Sequence, residues 1–442
     1  MKIIEDTFGT TILKENSVWG KNTQRSLENF PIGEEKMPRD LIAALVSIKR
    51  AAATVNRNHG KLDPDKAHRI VEACDLILTQ DLRTDFPLSL WQTGSGTQTN
   101  MNVNEVIAHY SNTHPNDDVN CGQSSNDVFP TAMHIMAYKQ IEHDLLPSME
   151  RFRDTLKRLS DENMINLKTG RTHLQDATPM SFGQEVSAWQ EMLVVGIKQI
   201  KETLVYLKEI PIGATAVGTG LNTFEGFDKE LSDHLGMNVC ENKFYGISTK
   251  DSFVHAHGVL NTIATNLMKI VNDIRWLSSG PRCGLGEISI PANEAGSSIM
   301  PGKINPTQCE SLMMICAQVM GNNHVITISN MQGNFQLNTF MPVIAHNFWQ
   351  SVKLLSEGMD SFDKRCLSGI KVINEKIEDN LTKSLMSATY LNSKLGYDET
   401  AKLVNKAFVA NKNIKDVVIE SGNMNEEEFD EFFKYSDMIT PD

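Results

Sequence analysis

The sequence predicts a mainly α protein built on a bundle of long helices, and three apolar stripes predict it. The first runs Phe253, Ala256, Leu260, Ile263, Leu267, Ile270, Ile274 and Leu277. Its steps alternate three and four without a break, which keeps one helix face on a partner. Gly280-Pro281 then stops it. The second stripe is Val186, Trp189, Leu193, Ile197, Ile200, Leu204 and Leu207, ending before Pro211 and Gly213. The third carries Leu312, Ile315, Val319 and, after a polar Asn322, Ile326. Seams of this period pack at shallow crossing angles, within one chain or between chains, so an oligomer is expected as well.

The remaining elements follow in order. Ile3-Ile4 reads as a short extended segment, and Leu41 to Val55 and Pro64 to Leu78 read as amphipathic helices. A fourth long helix is expected to begin near Pro130, carrying Met133, Ile135, Met136 and Ile141, with Pro147 interrupting or kinking it. Glu287 to Ile290 reads as extended. Asp398 to Ala410 and Glu426 to Phe433 read as helices, the latter entered through Asn423 or Asn425. No internal repeat or low-complexity linker marks a domain boundary.

Composition narrows the function classes. The 442 residues are 40% hydrophobic and 22% charged, ordinary for a soluble globular chain and wrong for a disordered or fibrous one. A formal net charge of −13 disfavours nucleic acid and anionic membranes as partners. An anionic ligand would need a locally positive site or dense neutral donors. The seven cysteines are odd in number and never spaced CxxC, which argues against a disulfide framework or zinc ribbon and for a reducing, cytoplasmic setting. Cys309 and Cys316, two helical turns apart, read as small core residues. MKIIEDTFGT has no apolar stretch, so no signal or transit peptide is expected, and no apolar run is long enough to span a membrane. His255 and His257 fall on different helix faces, so no metal site is expected there. Without a GxxxxGK[ST] or strand-linked GxGxxG motif, no nucleotide cofactor is expected either.

Three loops stand out. Trp91 to Asn100 reads WQTGSGTQTN, all hydroxyls and amides without a charge. It suits an anion or a polar small molecule, though a plain surface turn has the same composition. Gly122 to Asp127, GQSSND, leads into the fourth helix and puts Ser124, Ser125 and Asn126 near its N-terminus, where free N–H groups favour an anion or ordinary capping. Gly296 to Pro306, GSSIMPGKINP, sets Lys303 and Asn305 among glycines and serines, with Glu310 just beyond. A lysine in that company is a carboxylate or phosphate binder. Gly170 to Asp176, GRTHLQD, holds His173, a lone histidine of interest only if the fold brings it to the other loops.

Together, WQTGSGTQTNMNVNE, HPNDDVN, QSSNDVFPTAMH, GRTHLQDATP, ATAVGTGLNT, SGPRCGLGEISIP and GSSIMPGKINP closely resemble the fumarase/aspartase superfamily, from about Trp19 to the C-terminal helices. Within it, His173 and Ser124-Ser125-Asn126 resemble the class II, iron-independent fumarate hydratases. The ammonia-lyases for aspartate carry Gln and Ser-Thr-Asn at those places. The resemblance implies a three-domain fumarase/aspartase-type fold: a mostly helical N-terminal part at 1–123, a central long-helix bundle at 124–374 and a small helical domain at 375–442. It implies a homotetramer with a twenty-helix core and active sites each shared by three subunits. It implies a hydro-lyase acting on fumarate and L-malate, without metal or cofactor.

By the same resemblance Ser297 is the base that removes the carbon-bound proton, His173 its acid/base partner oriented by Glu310, and Lys303 the charge that stabilises the intermediate. Substrate contacts are implied for Ser95, Gly96, Thr97, Ser124, Ser125, Asn126, Thr172, Ser298, Lys303, Ile304 and Asn305. A second anion site is implied at His114, Pro115, Asn116 and Asp117, where a simple polar turn is the competing reading. The chain departs from the family pattern at Cys121-Gly122, where fumarases commonly have Lys-Ser, so substrate affinity is expected to differ more than reaction type. The competing readings are aspartate ammonia-lyase or another superfamily lyase, and a helical structural protein without catalysis.

Overall fold

A computed structural model of the chain describes residues 2–6, 9–80 and 83–440. The architecture is helical, and the strands among the described residues form only two-stranded ladders. The long helices include Arg39–Asn58, Ser125–Gln140, Leu146–Glu162, Phe182–Leu207, Asp251–Leu277, Thr307–Asn330 and Met341–Arg365. Every apolar residue of the 253–277 stripe is buried, as are Val186, Trp189, Leu193, Ile197, Ile200 and Leu207 of the second. Leu312, Val319 and Ile326 are buried on the third, along with Cys309 and Cys316. His257 is buried and His255 is exposed, as their two-residue spacing requires.

The chain divides into two compact units. One comprises Met1–Pro147, Gly196–Ala264 and Ile315–Ser356. Its helices Arg39–Asn58 and Pro64–Thr79 pack through Leu41, Leu45, Ile48, Val55 and Ile70, all inaccessible to solvent. The polar Asn322 that breaks the third stripe also lies here. It is satisfied rather than orphaned, donating to Gln350 at 2.9 Å and Ser351 at 2.9 Å. Ser351 also pairs with buried His257 at 2.8 Å.

The other unit comprises Ser148–Val195, Thr265–Met314 and Glu357–Asp442. Its C-terminal helices Tyr397–Ala410, Ile414–Glu420 and Glu426–Phe432 share a core of Leu391, Leu403, Ala407, Val417, Val418 and Phe429. Asn425 is the N-cap of the last of these, in a reciprocal capping box with Glu428.

One expectation changes. The fourth helix starts at Ser125, not near Pro130, because Ser124 and Asp127 form a capping box that satisfies its first N–H groups. Pro130 therefore lies inside the helix. Pro147 is preceded by a π-helical turn, Ile141–Leu145, after which the helix resumes. That wider turn accommodates a residue that lacks an N–H and crowds the preceding carbonyls. GRTHLQD, to which sequence reasoning assigned no element, forms part of a hairpin of Leu167–Thr172 against Gln175–Ser181.

Candidate active site

The helix Thr97–Ser111 is capped by Gly96, whose φ is +71°. A Cβ there would lie 2.3 Å from the Phe129 ring, so the position takes only glycine. On either side of Gly96 the Ser95 and Thr97 hydroxyls lie 2.7 Å apart. In the same unit the Ser124–Asn126 loop is held from behind. Asp127 is buried and accepts from the N–H groups of Ser124 (2.9 Å), Gly213 (3.1 Å) and Thr215 (2.9 Å). Burial raises its pKa, against the lowering by those N–H donors and by Lys49. Asn126 donates to the Ala216 carbonyl at 2.8 Å, and Ser125 Oγ accepts from Asn100 at 2.9 Å.

The segment around His114 lies in this unit too. Its π-helical turn, Pro115–Val119, is pinned by Asp118, which accepts from the His114 N–H at 2.8 Å and from Lys66 at 3.0 Å. His114 Nδ1 accepts from the Asp117 N–H at 3.0 Å, and His114, Asn116 and Asp117 are exposed while Pro115 is half-buried. Cys121 is half-buried. The following Gly122 has φ +68°, a left-handed conformation that a serine would strain.

The second unit holds the other residues. The loop from Gly296 closes on itself. The Gly296 N–H donates to the Lys303 carbonyl at 3.0 Å, and Asn305 Nδ2 donates to the Gly296 carbonyl at 2.7 Å. Lys303 Nζ donates to Asn305 Oδ1 at 2.8 Å. Ser297 Oγ accepts two backbone N–H groups, from Ile299 at 3.2 Å and Met300 at 3.1 Å. A cavity of about 540 Å³ beside this loop is lined by Lys303, Ile304, Asn305 and Glu310 together with Arg275 and Trp276. Ser298, Ile304 and Glu310 are exposed.

His173 sits at the tip of the hairpin. With Leu174 it forms the two-residue turn, at φ +58° and +60°. Such turns ordinarily carry Asn-Gly, so two bulky side chains here store strain. The hairpin is anchored by buried charges. Glu287 accepts from Arg171 at 2.5 Å and lies 3.1 Å from Lys168, which also donates to Glu185 at 2.6 Å. Asn380 adds a hydrogen bond to Glu287 at 3.0 Å. Burial pushes the Glu287 carboxyl up, but Arg171 and Lys168 outweigh it and hold it below the ordinary glutamate value. Thr172 and His173 themselves are exposed, and no hydrogen bond joins His173 to Glu310 among the described residues.

Sequence reasoning missed the Lys168–Arg171–Glu287 cluster. Its signal was present as charged residues inside otherwise strand-like segments, but their partners are more than a hundred residues apart. It also passed over Lys49, which reads as an ordinary polar position on an amphipathic helix.

A helical bundle with hydroxyl-rich loops and a lysine–asparagine loop agrees with the comparisons. The lyase family matches residues 9–321, and the fumarase C C-terminus family matches residues 388–440. The class II fumarate hydratase of Helicobacter pylori is 50% identical over 458 residues, covering 100% of this chain and 99% of the relative. That of Staphylococcus epidermidis is 47% identical with the same coverage. A crystal structure of class II fumarase from Schistosoma mansoni superposes with a TM-score of 0.96 at 40% identity, covering 100% of this chain and 99% of the other. A fumarate lyase:delta crystallin from Brucella melitensis, solved bound to cobalt, gives 0.93 at 34% identity and covers 100% of both chains. The chain belongs to the lyase family and, within it, to the class II fumarate hydratases.

Proposed function

We propose that this chain is a hydro-lyase that interconverts fumarate and L-malate, a step of the tricarboxylic acid cycle. One observation carries the chemistry. The Ser297 hydroxyl oxygen is the target of two backbone N–H groups, from Ile299 and Met300. Donors aimed at one oxygen stabilise it as an alkoxide, the form able to accept a proton from carbon. Starting from L-malate, Ser297 takes the proton next to a carboxylate, and the electron pair moves into that carboxylate. Lys303, steadied by Asn305, offsets the charge of the resulting aci-carboxylate. The C–O bond then breaks, and the hydroxide leaves as water with a proton from His173. No step is routed through a metal or cofactor.

The neutral donors of Ser95, Gly96, Thr97, Ser124, Ser125, Asn126, Thr172 and Ser298, with Ile304 as an apolar wall, hold the dicarboxylate. The pairing of His173 with Glu310 is assigned to contacts between subunits of a homotetramer. Exposed Val194, Val205, Tyr206, Met314, Ile328 and Met331 on the long helices support such contacts. A second anion site at His114–Asp117 and a cytoplasmic location belong to the same reading. The test is ultraviolet absorbance of fumarate, with a chelator present. Fumarate from L-malate and none from L-aspartate is expected. The reverse moves the chain to the ammonia-lyases, and silence with both leaves the structural-protein reading. Light scattering of the purified protein at the mass of four chains is the expected oligomer result, and a stable monomer with full activity overturns the shared site.

A further inference from the structure

Lys49 lies in the helix Arg39–Asn58 with no accessible surface. Among the described residues its ammonium makes one hydrogen bond, to the neutral Asn120 Oδ1 at 2.7 Å. A buried ammonium with three donors ordinarily finds a carboxylate or several carbonyls. The charged or titratable groups that act on it are Asp127 and Cys74. Asp127 spends its oxygens on three backbone N–H groups, and burial drives the Cys74 thiol upward, so it stays neutral. Among the described residues no acid therefore touches the ammonium, and burial lowers its pKa to about 7 against the opposing pull of Asp127, so an anion held in front of it favours its charged form.

The amide it touches leads to the candidate site. Asn120 Oδ1 also receives the Asn104 amide at 3.3 Å and the Asn100 amide at 3.4 Å. Asn100 Nδ2 in turn donates to Ser125 Oγ at 2.9 Å. A hydroxyl that accepts from behind must aim its own hydrogen elsewhere, here away from Asn100. Asn100 and Asn104 are each 1% exposed, and their Oδ1 atoms have no partner among the described residues. The amides are thus oriented by what they donate to: Lys49, Asn100 and Asn104 donate to Asn120 Oδ1, Asn100 also donates to Ser125, and the Asn120 amide itself donates to the Gln123 carbonyl at 3.1 Å.

We propose that Lys49, acting through Asn120 and Asn100, is a positioning residue for dicarboxylate binding: it sets a buried positive charge behind the Ser124–Asn126 loop and turns the Ser125 hydroxyl outward as a donor. This rests on the reading of that loop as the carboxylate site. Against the chain's overall charge of −13, a local positive charge favours binding of a dianion. A charge behind neutral donors attracts the ligand without forming a tight ion pair that would hold the product.

The experiment compares wild type with Lys49→Met and Asn100→Asp. It measures KM and kcat for fumarate and Ki for succinate, a dicarboxylate that cannot react. Lys49→Met keeps length and loses charge. Asn100→Asp keeps shape and can no longer donate to Ser125 or to Asn120 Oδ1. In both variants KM and the succinate Ki are expected to rise together by about tenfold or more, with a smaller change in kcat. That is the signature of lost binding common to substrate and transition state. Wild-type KM and Ki in both folded variants overturn the proposal while leaving the hydratase reading intact. If Lys49→Met does not fold, Asn100→Asp alone decides, because its shape is unchanged. A wild-type protein that neither hydrates fumarate nor binds succinate defeats the functional reading itself, a result separable from either variant outcome.

Discussion

Substituting Glu287 by glutamine tests how the histidine hairpin is held. Glu287 and Lys168 are 1% and 2% exposed at their side chains, and Arg171 is 16% exposed. Removing one partner of a buried charge pair costs about 3–5 kcal/mol, mostly from the charge left behind. Here Lys168 keeps Glu185 at 2.6 Å, and glutamine still accepts from Arg171 or Asn380. The expected loss is therefore at the lower end, about 3 kcal/mol. It is read as a lower urea midpoint by tryptophan fluorescence, since Trp189 and Trp276 belong to the same unit. The acid limb adds a sign. The folded carboxyl is held below its ordinary value, so its stabilisation is present above the unfolded pKa. It is lost as pH falls below about 4.5. Glu287→Gln should flatten that acid limb while lowering stability at neutral pH. Activity should fall as well, because the same cluster anchors the turn that presents His173. A variant with the wild-type urea midpoint and the wild-type acid limb refutes the reasoning, whatever its activity.

The other predictions concern the loops. Gly94→Ala should abolish activity and destabilise by about 3 kcal/mol or more, since its Cβ would sit 1.3 Å from the Thr339 carbonyl oxygen. Unchanged melting and turnover would show that this contact yields freely. Ser297→Ala should lower kcat by roughly 10²–10⁴-fold with little change in succinate Ki, and a kcat near wild type removes Ser297 as the base. His173→Asn should lower kcat by roughly 10²-fold or more and leave the melting temperature equal or higher, because Asn tolerates the +58° φ better than His. A clear drop in melting temperature would count against strain at the turn.

Much of the fold was legible because a heptad stripe is a local, one-dimensional signal. Phe253 through Leu277 repeats the same spacing over its whole length, and each of those apolar residues is buried. The charge-free loops were legible for a related reason: Ser95, Thr97, Ser124, Ser125 and Asn126 contrast with a chain that is 22% charged. Two local features escaped. The helix start at Ser125 was hidden by Pro130, a residue usually taken as a boundary signal. The hairpin at His173-Leu174 was hidden because its turn lacks the glycine that normally announces one.

By itself the sequence determined the helical class, the buried seams and the residue types available for carboxylate chemistry, since these depend on neighbours a few positions apart. Only the tertiary structure decided what stands behind the loops. It joined Lys168 and Arg171 to Glu287, and ran the amide chain from Lys49 to Ser125. The physical reason is that the value of a buried charge or hydroxyl depends on its partners. For Arg171 and Lys49 those partners lie 116 and 71 residues away, at separations no local pattern encodes.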